Sequence, residues 1–377
     1  MDDQTLRYCA TDKEVFDILM SSKLRLTESV MLEFGKDRGI FYSPKDSREN
    51  IAQNIAILPH GHHDLMLLLE RRDHPGRSEK ITSVVLNETI SIDEIKEIVK
   101  EYQESSQSDE KIISHSEGNE KYVMKVHYSD IDYSKTRLSQ RRPREADIEF
   151  IIHGDKAVIR LPANDKSKNI VSKLKTRLEE KMKKEIKSDL IELSGFNSPD
   201  TRTEFFTSLI AGLDGFKLSD VTSIKVESKL QNEHNDTDIE DELDDDQDKE
   251  KAKQEMLAVV KNVAFKGGQL LLSQEYKQLK SKGFFITSII WRSQKDSSPH
   301  EKIECEASFD EPEIGKGFKY NIRGVFHFAN GSHNKRHKPP QSDEKQKYIS
   351  LIEKSARKTI SDLKFKDSLQ DNDHGGD

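Results

Sequence analysis

The sequence predicts an α+β, multidomain protein: a helical N-terminal region followed by two α+β modules separated by an acidic linker. Three observations carry that expectation. Apolar residues recur at helical spacing through the first hundred positions, with capping residues where helices should start. Further on, short runs rich in β-branched and aromatic residues alternate with amphipathic stretches. Between 233 and 250 stand eleven acidic residues against the single Lys249, a density of like charge that opposes compaction.

Thr11-Asp12-Lys13-Glu14 is written as a capping box and should open a helix through Val15, Phe16, Ile18 and Leu19. A second helix is predicted from Thr27 to Arg38, stopped by Gly39. Ile40 to Ser43 reads as extended, and a third helix starts at Ser47 and runs through Ile51, Ile55 and Leu58 to Pro59. A fourth is expected from Asp64 to Arg72, then a strand from Lys80 to Ile90 and a helix capped by Ser91 and Glu94. These make a domain over 1–104, and the polar stretch 105–120 reads as a linker.

The second module, 121–231, should hold a strand at Tyr122–His127 and a hairpin of 147–152 with 157–161 about His153-Gly154-Asp155-Lys156. A helix from Asp165 to Lys187 follows, with the stripe Ile170, Leu174, Leu178, Met182 and Ile186. A strand at 190–193, a helix at 201–213 and a strand at 221–230 complete it. After the acidic linker 232–252, a third module over 253–366 should open on a helix through Leu257, Val260 and Phe265. Strands at 284–292, 303–309 and 318–328 and a helix at 346–363 close it, with a polar tail at 367–377.

Composition narrows the function classes. Of 377 residues, 33% are hydrophobic and 34% charged, and no stretch approaches the ~18–20 apolar residues of a membrane span. The acidic N-terminus lacks a secretory pattern, and Cys9 and Cys305 stand apart without CxxC spacing, so a reducing, cytoplasmic setting without a disulfide framework is expected. The run 233–250 carries −10 by itself, so removing it from the chain's net −8 leaves the remainder at +2. An anionic partner therefore stays open. Phosphate-loop, dinucleotide-binding, nucleophile-elbow and kinase strings are all missing.

Basic clusters supply the most coherent signal. Lys135, Arg137, Arg141, Arg142 and Arg144 are expected in a loop near Tyr128 and Tyr133, which could stack on bases. Lys173, Arg177 and Lys184 belong to a 166–187 segment with nine basic residues against three glutamates, and Lys335, Arg336 and Lys338 form a third group. Such groups bind phosphates with release of counterions. The tethered acidic run reads as a solvated spacer or, alternatively, as a competitor of nucleic acid for the same surfaces.

Three local patterns resemble known families. Leu32 and Phe34, the stop at Gly39, extended Ile40–Ser43, and Arg48 with Ile51 and Ile55 resemble the helix-extended-helix of SAP-type nucleic-acid-binding motifs over 27–58. That resemblance implies phosphate contacts from Lys45 and Arg48 at the start of the second helix. His60, His62 and Asp64 resemble the HxHxDH motif of metallo-β-lactamase-fold hydrolases, which implies a zinc-activated water. Asp220 with Glu227-Ser228-Lys229, or Asp214 as first carboxylate, resembles the PD-(D/E)xK nuclease set, which implies Mg2+.

The leading expectation is a non-enzymatic accessory protein that binds nucleic acid without a cofactor, of the kind used in microbial DNA processing or antiviral defence. The alternatives are an Mg2+-dependent nuclease and a scaffold subunit that binds protein within a larger complex. No membrane partner is expected.

Overall fold

A computed structural model describes residues 10–43, 45–73, 79–106, 110–196, 198–228, 262–266, 270–295, 297, 300–329 and 331–373. The chain is α+β, with N-terminal helices followed by a large antiparallel sheet and its helices. It divides into two compact units, 1–78 with 96–117 and 122–148, and 79–95 with 118–121 and 149–377.

The first unit opens with α1 (Asp12–Ser21), α2 (Glu28–Lys36), α3 (Arg48–Ala56) and α4 (His62–Asp73). The capping box forms as written: the Glu14 amide donates to Thr11 Oγ1 at 3.3 Å, and Glu14 Oε2 accepts from the Thr11 amide at 2.9 Å. Gly39 takes φ +73°, a conformation that costs glycine little, and so ends the turn after α2. Ser47 Oγ accepts from the Asn50 amide at 3.2 Å and starts α3. Val15, Ile18, Leu19, Leu26, Met31, Ile51, Ile55, Leu65 and Leu68 make this unit's core.

In the same unit, the segment expected as a linker at 105–120 contains β2 (Lys111–Glu117). Its one buried residue, Ile112, sits in an otherwise exposed run, so the apolar alternation was too thin to read as a strand. β3 (Lys121–Ile131), the short α6 (Arg137–Gln140) and β4 (Arg141–His153) follow, while α5 (Ile92–Ser105) precedes β2. Arg141, Arg142 and Arg144 therefore start a strand and do not lie in a loop.

In the second unit the last residues of β4 pair with β5 (Lys156–Pro162), Phe150 opposite Ile159, across the turn at Gly154 with φ +60°. The strand order continues from β5 through β1 (Ile81–Leu86), β11 (Lys319–Phe326), β10 (Lys302–Ser308), β9 (Phe284–Gln294) and β7 (Lys217–Ser228) to β8 (Asn262–Lys266). The short β6 (Ser188–Leu190) pairs with one end of β1. α7 (Asp165–Met182) stops short of the predicted Lys187, because Lys183 adopts a left-handed φ of 50°. Glu179 Oε1 then accepts from the Ile186 amide at 2.9 Å, and the turned chain still buries Ile186.

The modules expected on either side of the acidic run are not separate. β7 pairs along its length with β9, Val221 opposite Trp291, and one core holds Phe205, Phe206, Ile224, Trp291, Tyr320 and Tyr348. Phe205 and Phe206 come from α8 (Pro199–Ala211), Tyr348 from α10 (Ser342–Asp373) and the others from β7, β9 and β11, with α9 (Gln274–Ser281) between the two helices in sequence. β7 carries Val221, Ile224 and Val226 on its buried side, and such a strand needs a partner on its edge. Phe265, expected on a helix, lies in β8 opposite Ile224. The acidic run 233–250 and the rest of that predicted helix lie outside the described residues, but their flanks, Glu227 and Asn262, are ladder partners. Among the described residues no helix is long and apolar enough to cross a membrane.

Candidate nucleic-acid interface

The first unit contains a cleft of about 870 Å³ walled by four stretches far apart in sequence. Lys23, Leu24 and Arg25 come from the turn between α1 and α2, Arg72 from the end of α4, Ser134 to Thr136 from the approach to α6, and Arg142 to Arg144 from β4. Six lining side chains are basic (Lys23, Arg25, Arg72, Lys135, Arg142, Arg144) and one, Asp17, is acidic.

Each wall has an identifiable cause. Ser22 O accepts from the amides of Arg25 and Leu26 at 3.0 and 2.8 Å, closing a tight turn, and Leu26 is fully buried beneath it. The residues between are forced outward, leaving Leu24 93% exposed between two cations. Asp132 organises the opposite wall by accepting from Ser134 Oγ at 2.6 Å and the Ser134 amide at 3.1 Å, and it pairs with Lys135 Nζ at 2.9 Å. The Ser134 hydroxyl, Lys135 and the Ser134 amide together hold the Asp132 carboxyl down to about 2. Tyr133, inside this turn, is 81% exposed. Arg137 grips Glu14 with Nε at 2.9 Å and Nη2 at 3.1 Å, tying α6 to the start of α1. Burial works to raise the Glu14 carboxyl, but Arg137 and Thr11 outweigh it and keep it below its ordinary value.

Arg72 donates to the carbonyls of Leu138 and Arg141 at 3.0 and 3.4 Å, so it holds the wall as well as lining it. Arg144 lies 3.7 Å from Asp130. Lys23, Arg25 and Arg142 have no ion-pair partner among the described residues. Even with Asp130 and Asp132 counted against it beside Asp17, the cleft keeps a surplus of three positive charges.

The structure therefore brings together Arg142 and Arg144 from the predicted set, with Lys135. Lys23, Arg25 and Arg72 escaped sequence reading, and the exposed Lys-Leu-Arg string at a helix end was their only local signal. Arg48 was expected to contact phosphate. Instead its Nη2 reaches the carbonyls of Leu19 and Leu26, the latter at 2.6 Å. Lys45 is exposed beside α3. In the second unit Lys173 is exposed on α7, Arg177 is half-buried on the same helix, and Lys184 pairs with Glu88 at 2.5 Å. Lys335, Arg336 and Lys338 are exposed on the loop after β13 (Ser332–His333), which pairs with β12 (Phe328–Ala329).

His60, His62 and Asp64 are not brought together as a ligand set. His60 Nε2 hydrogen-bonds the Ile55 carbonyl at 2.9 Å while its ring stacks on Phe34 at 5.9 Å. Asp64 accepts from the Gly61 amide at 2.9 Å and pairs with Arg38 at 2.7 Å, whose guanidinium lies over Phe34. These are the contacts of a helix start, and His62 begins α4 exposed. Among the described residues no three histidine, cysteine, aspartate or glutamate side chains gather as metal ligands.

The described carboxylates of the nuclease-like set are likewise not brought together. Asp220 and Glu227 lie on the one strand β7, seven residues apart, which at ~3.3 Å per residue separates them by roughly 20 Å. Asp214 sits on the turn before β7, exposed and 3.6 Å from Lys354, and Lys229 lies outside the described residues. Burial, then the nearby Glu313, raises the Glu227 carboxyl, which suits a half-covered strand residue without a cation clamped to it. No protein-family model matches the chain, and no curated protein matches it.

Proposed function

We propose that the protein is a non-enzymatic nucleic-acid-binding or accessory protein whose first unit grips the phosphate backbone in the cleft between Arg25 and Arg142. The observation that supports this reading is the gathering of six basic side chains in one concavity, three of them without a partner among the described residues. Scattered surface lysines are simply solvated, but like charges crowded into a cleft repel one another through low-dielectric walls. A polyanion relieves that repulsion and releases condensed counterions. Leu24 and Tyr133 add exposed apolar surface at the rim, which suits contact with bases of an unpaired strand. A cytoplasmic role within a larger nucleic-acid-processing assembly, as in defence systems, fits the two isolated cysteines and the absence of enzymatic strings.

The test is fluorescence anisotropy with labelled single- and double-stranded DNA and RNA over a salt series, comparing wild type with Lys23→Ala/Arg25→Ala/Arg142→Ala. The slope of log affinity on log salt should flatten by about 2 in the triple variant, since each single-strand phosphate contact contributes ~0.7. Equal affinities and slopes for the two proteins would overturn the reading.

A further inference from the structure

The second unit holds a different cationic arrangement, built around one buried carboxylate. Glu304 sits on β10 with its side chain 5% exposed. Arg292, its ladder partner on β9, donates from Nε to Glu304 Oε2 at 2.9 Å. Arg323 on β11 brings its Nε to 3.5 Å from Oε1, and His337 Nε2 approaches the same oxygen at 3.7 Å. Two guanidiniums thus lean by their Nε edges on the two oxygens of a single glutamate. Their side chains remain 34% and 28% exposed, and neither Nη pair has a hydrogen-bond partner among the described residues.

Stability alone does not explain this. A buried carboxylate needs one well-placed cation, and a second adds repulsion between the guanidiniums. The surroundings fix the arrangement further. The Arg292 guanidinium lies 5.0 Å from the Phe326 ring centroid, and Lys302 Nζ lies 5.7 Å from it on the same ring. His337 is pressed onto Gly324, where a Cβ would stand 2.2 Å from its Nδ1. Mutual 2.9 Å backbone bonds between Val325 and Lys338 hold the basic loop of Lys335, Arg336 and Lys338 against β11. The only carboxylate opposite Arg292 in the neighbouring ladder is Asp220 on β7. Against Glu304 and Asp220 stand Arg292, Lys302 and Arg323 on the strands and the three cations of the loop.

We infer that Glu304 orients Arg292 and Arg323 into a clamp that takes a phosphoryl group, with their Nη atoms as donors. The planar fork of arginine matches a phosphate bidentately, and an anchored Nε leaves the Nη edge for that use. The phosphoryl group can belong to a nucleic-acid strand or to a free phosphate compound. The first source rests on the nucleic-acid reading above, while the second does not.

The test separates these. The background is the Lys23→Ala/Arg25→Ala/Arg142→Ala chain, in which the cleft is disabled. Into it go Glu304→Gln, Arg292→Gln/Arg323→Gln and Arg292→Lys/Arg323→Lys, each with a thermal melt. The probes are a labelled single-stranded oligonucleotide and tripolyphosphate. If the clamp exists, all three changes weaken binding of at least one probe by about tenfold or more, the scale of losing one charged hydrogen-bond set. Glu304→Gln is the sharpest, because removing a negative charge should tighten a merely electrostatic surface. Tighter binding in that variant overturns the clamp, and so does unchanged affinity in the glutamine or lysine pairs. Should Glu304→Gln melt early, the lysine pair decides, since it keeps both charges. Strand binding lost with the cleft alone, together with tripolyphosphate binding indifferent to Arg292 and Arg323, sinks the clamp and leaves the cleft standing. Tripolyphosphate binding that needs the two arginines, with no strand bound by the wild type, sustains the clamp and sinks the cleft.

Discussion

Arg48 donates from Nη2 to the carbonyl oxygen of Leu26 across 2.6 Å, and the same nitrogen reaches the Leu19 carbonyl. One guanidinium thus closes the end of α1 onto the turn that thrusts Lys23, Leu24 and Arg25 into the cleft. Arg48→Ala leaves two carbonyls short of a donor inside a packed turn, and about 1–3 kcal/mol of stability should go with it. Arg48→Lys should also lose stability, since the lysine ammonium ends one bond short of the place where Nη2 meets both carbonyls. Far-UV circular dichroism during urea unfolding measures the loss. If Arg48 touched phosphate directly, the lysine variant would keep both stability and nucleic-acid affinity, which is the outcome that refutes this role.

His60 sets a pH dependence for the helical unit. Burial, with the positive Arg38 nearby, holds the imidazole below its ordinary value, although its bond to Ile55 and the charge of Asp64 pull the other way. Its Nδ1 is buried without a hydrogen-bond partner among the described residues, so a proton there would have no acceptor among them. The unfolded chain takes that proton near pH ~6.5 and the folded chain only at lower pH. Between those values the unfolded state binds more protons, so stability is full above ~6.5 and falls as pH drops below it. The carboxyls of Glu14 and Asp64 are depressed, and their contribution is lost only further down, below ~4. Urea midpoints followed by circular dichroism should therefore decline already between pH 7 and 5, and His60→Gln should flatten that part of the curve. A flat wild-type curve there would refute the assignment.

Arg160 on β5 and Glu353 on α10 form the second unit's buried ion pair, with Nη2 to Oε2 at 2.8 Å and Nε to Oε1 at 3.0 Å. Gln346 and Ser350 accept the other guanidinium hydrogens at 2.6 and 2.8 Å, and the Tyr320 hydroxyl donates to Glu353. Removing one partner strands the other charge, so Glu353→Ala should cost about 3–5 kcal/mol. Arg160→Met/Glu353→Met should cost less than Glu353→Ala alone, because neither charge is left buried. Trp291, the chain's one tryptophan, is fully buried in this unit's core and reports the unfolding by fluorescence. A double variant less stable than either single one would contradict the account.

What the sequence made legible was local. The capping box at Thr11, the stop at Gly39 and the turn at Gly154 depend on residues within four positions of one another, and all three formed where read. The misses needed distant partners. Arg141-Arg142-Pro143-Arg144 has the charge and proline of a loop, yet it starts a strand with β3 as its neighbour. β7 and β9 pair across more than fifty residues of intervening chain, and nothing in either run announces the other. The cleft joins the basic cluster around 135 and 142 to positions 23 and 72, which nothing in their own windows ties to it. His60 and Asp64 show the converse: a metal-like spacing in the sequence coincides here with a capping aspartate after a packed histidine at a helix start.

Gly324 gives the last prediction, because its missing side chain is what seats His337. A Cβ at position 324 would lie 2.2 Å from the His337 Nδ1 and 2.8 Å from its Cβ. Ring rotation moves the nitrogen but not the Cβ, so relief requires displacing the chain at 337. That chain is pinned beside it by the paired Val325 and Lys338 backbone bonds. Gly324→Ala should therefore lose about 1–3 kcal/mol, the usual scale of overpacking, and loosen the loop bearing Lys335, Arg336 and Lys338. His337→Gly removes an edge-on contact with Phe326 at 5.6 Å and a distant approach to Glu304 and adds about 1 kcal/mol of chain entropy, so its own cost should be modest. In Gly324→Ala/His337→Gly both the ring and the Cβ that clash are gone, and the double variant should recover most of the stability that Gly324→Ala loses. The cycle thus predicts a coupling energy of at least ~1 kcal/mol, outside the ~0.5 kcal/mol within which independent sites add. Tryptophan fluorescence in urea measures all four corners, with amide exchange at Val325 and Lys338 reporting the loop. Additive losses would mean that His337 moves aside freely and does not fix the basic loop to the sheet.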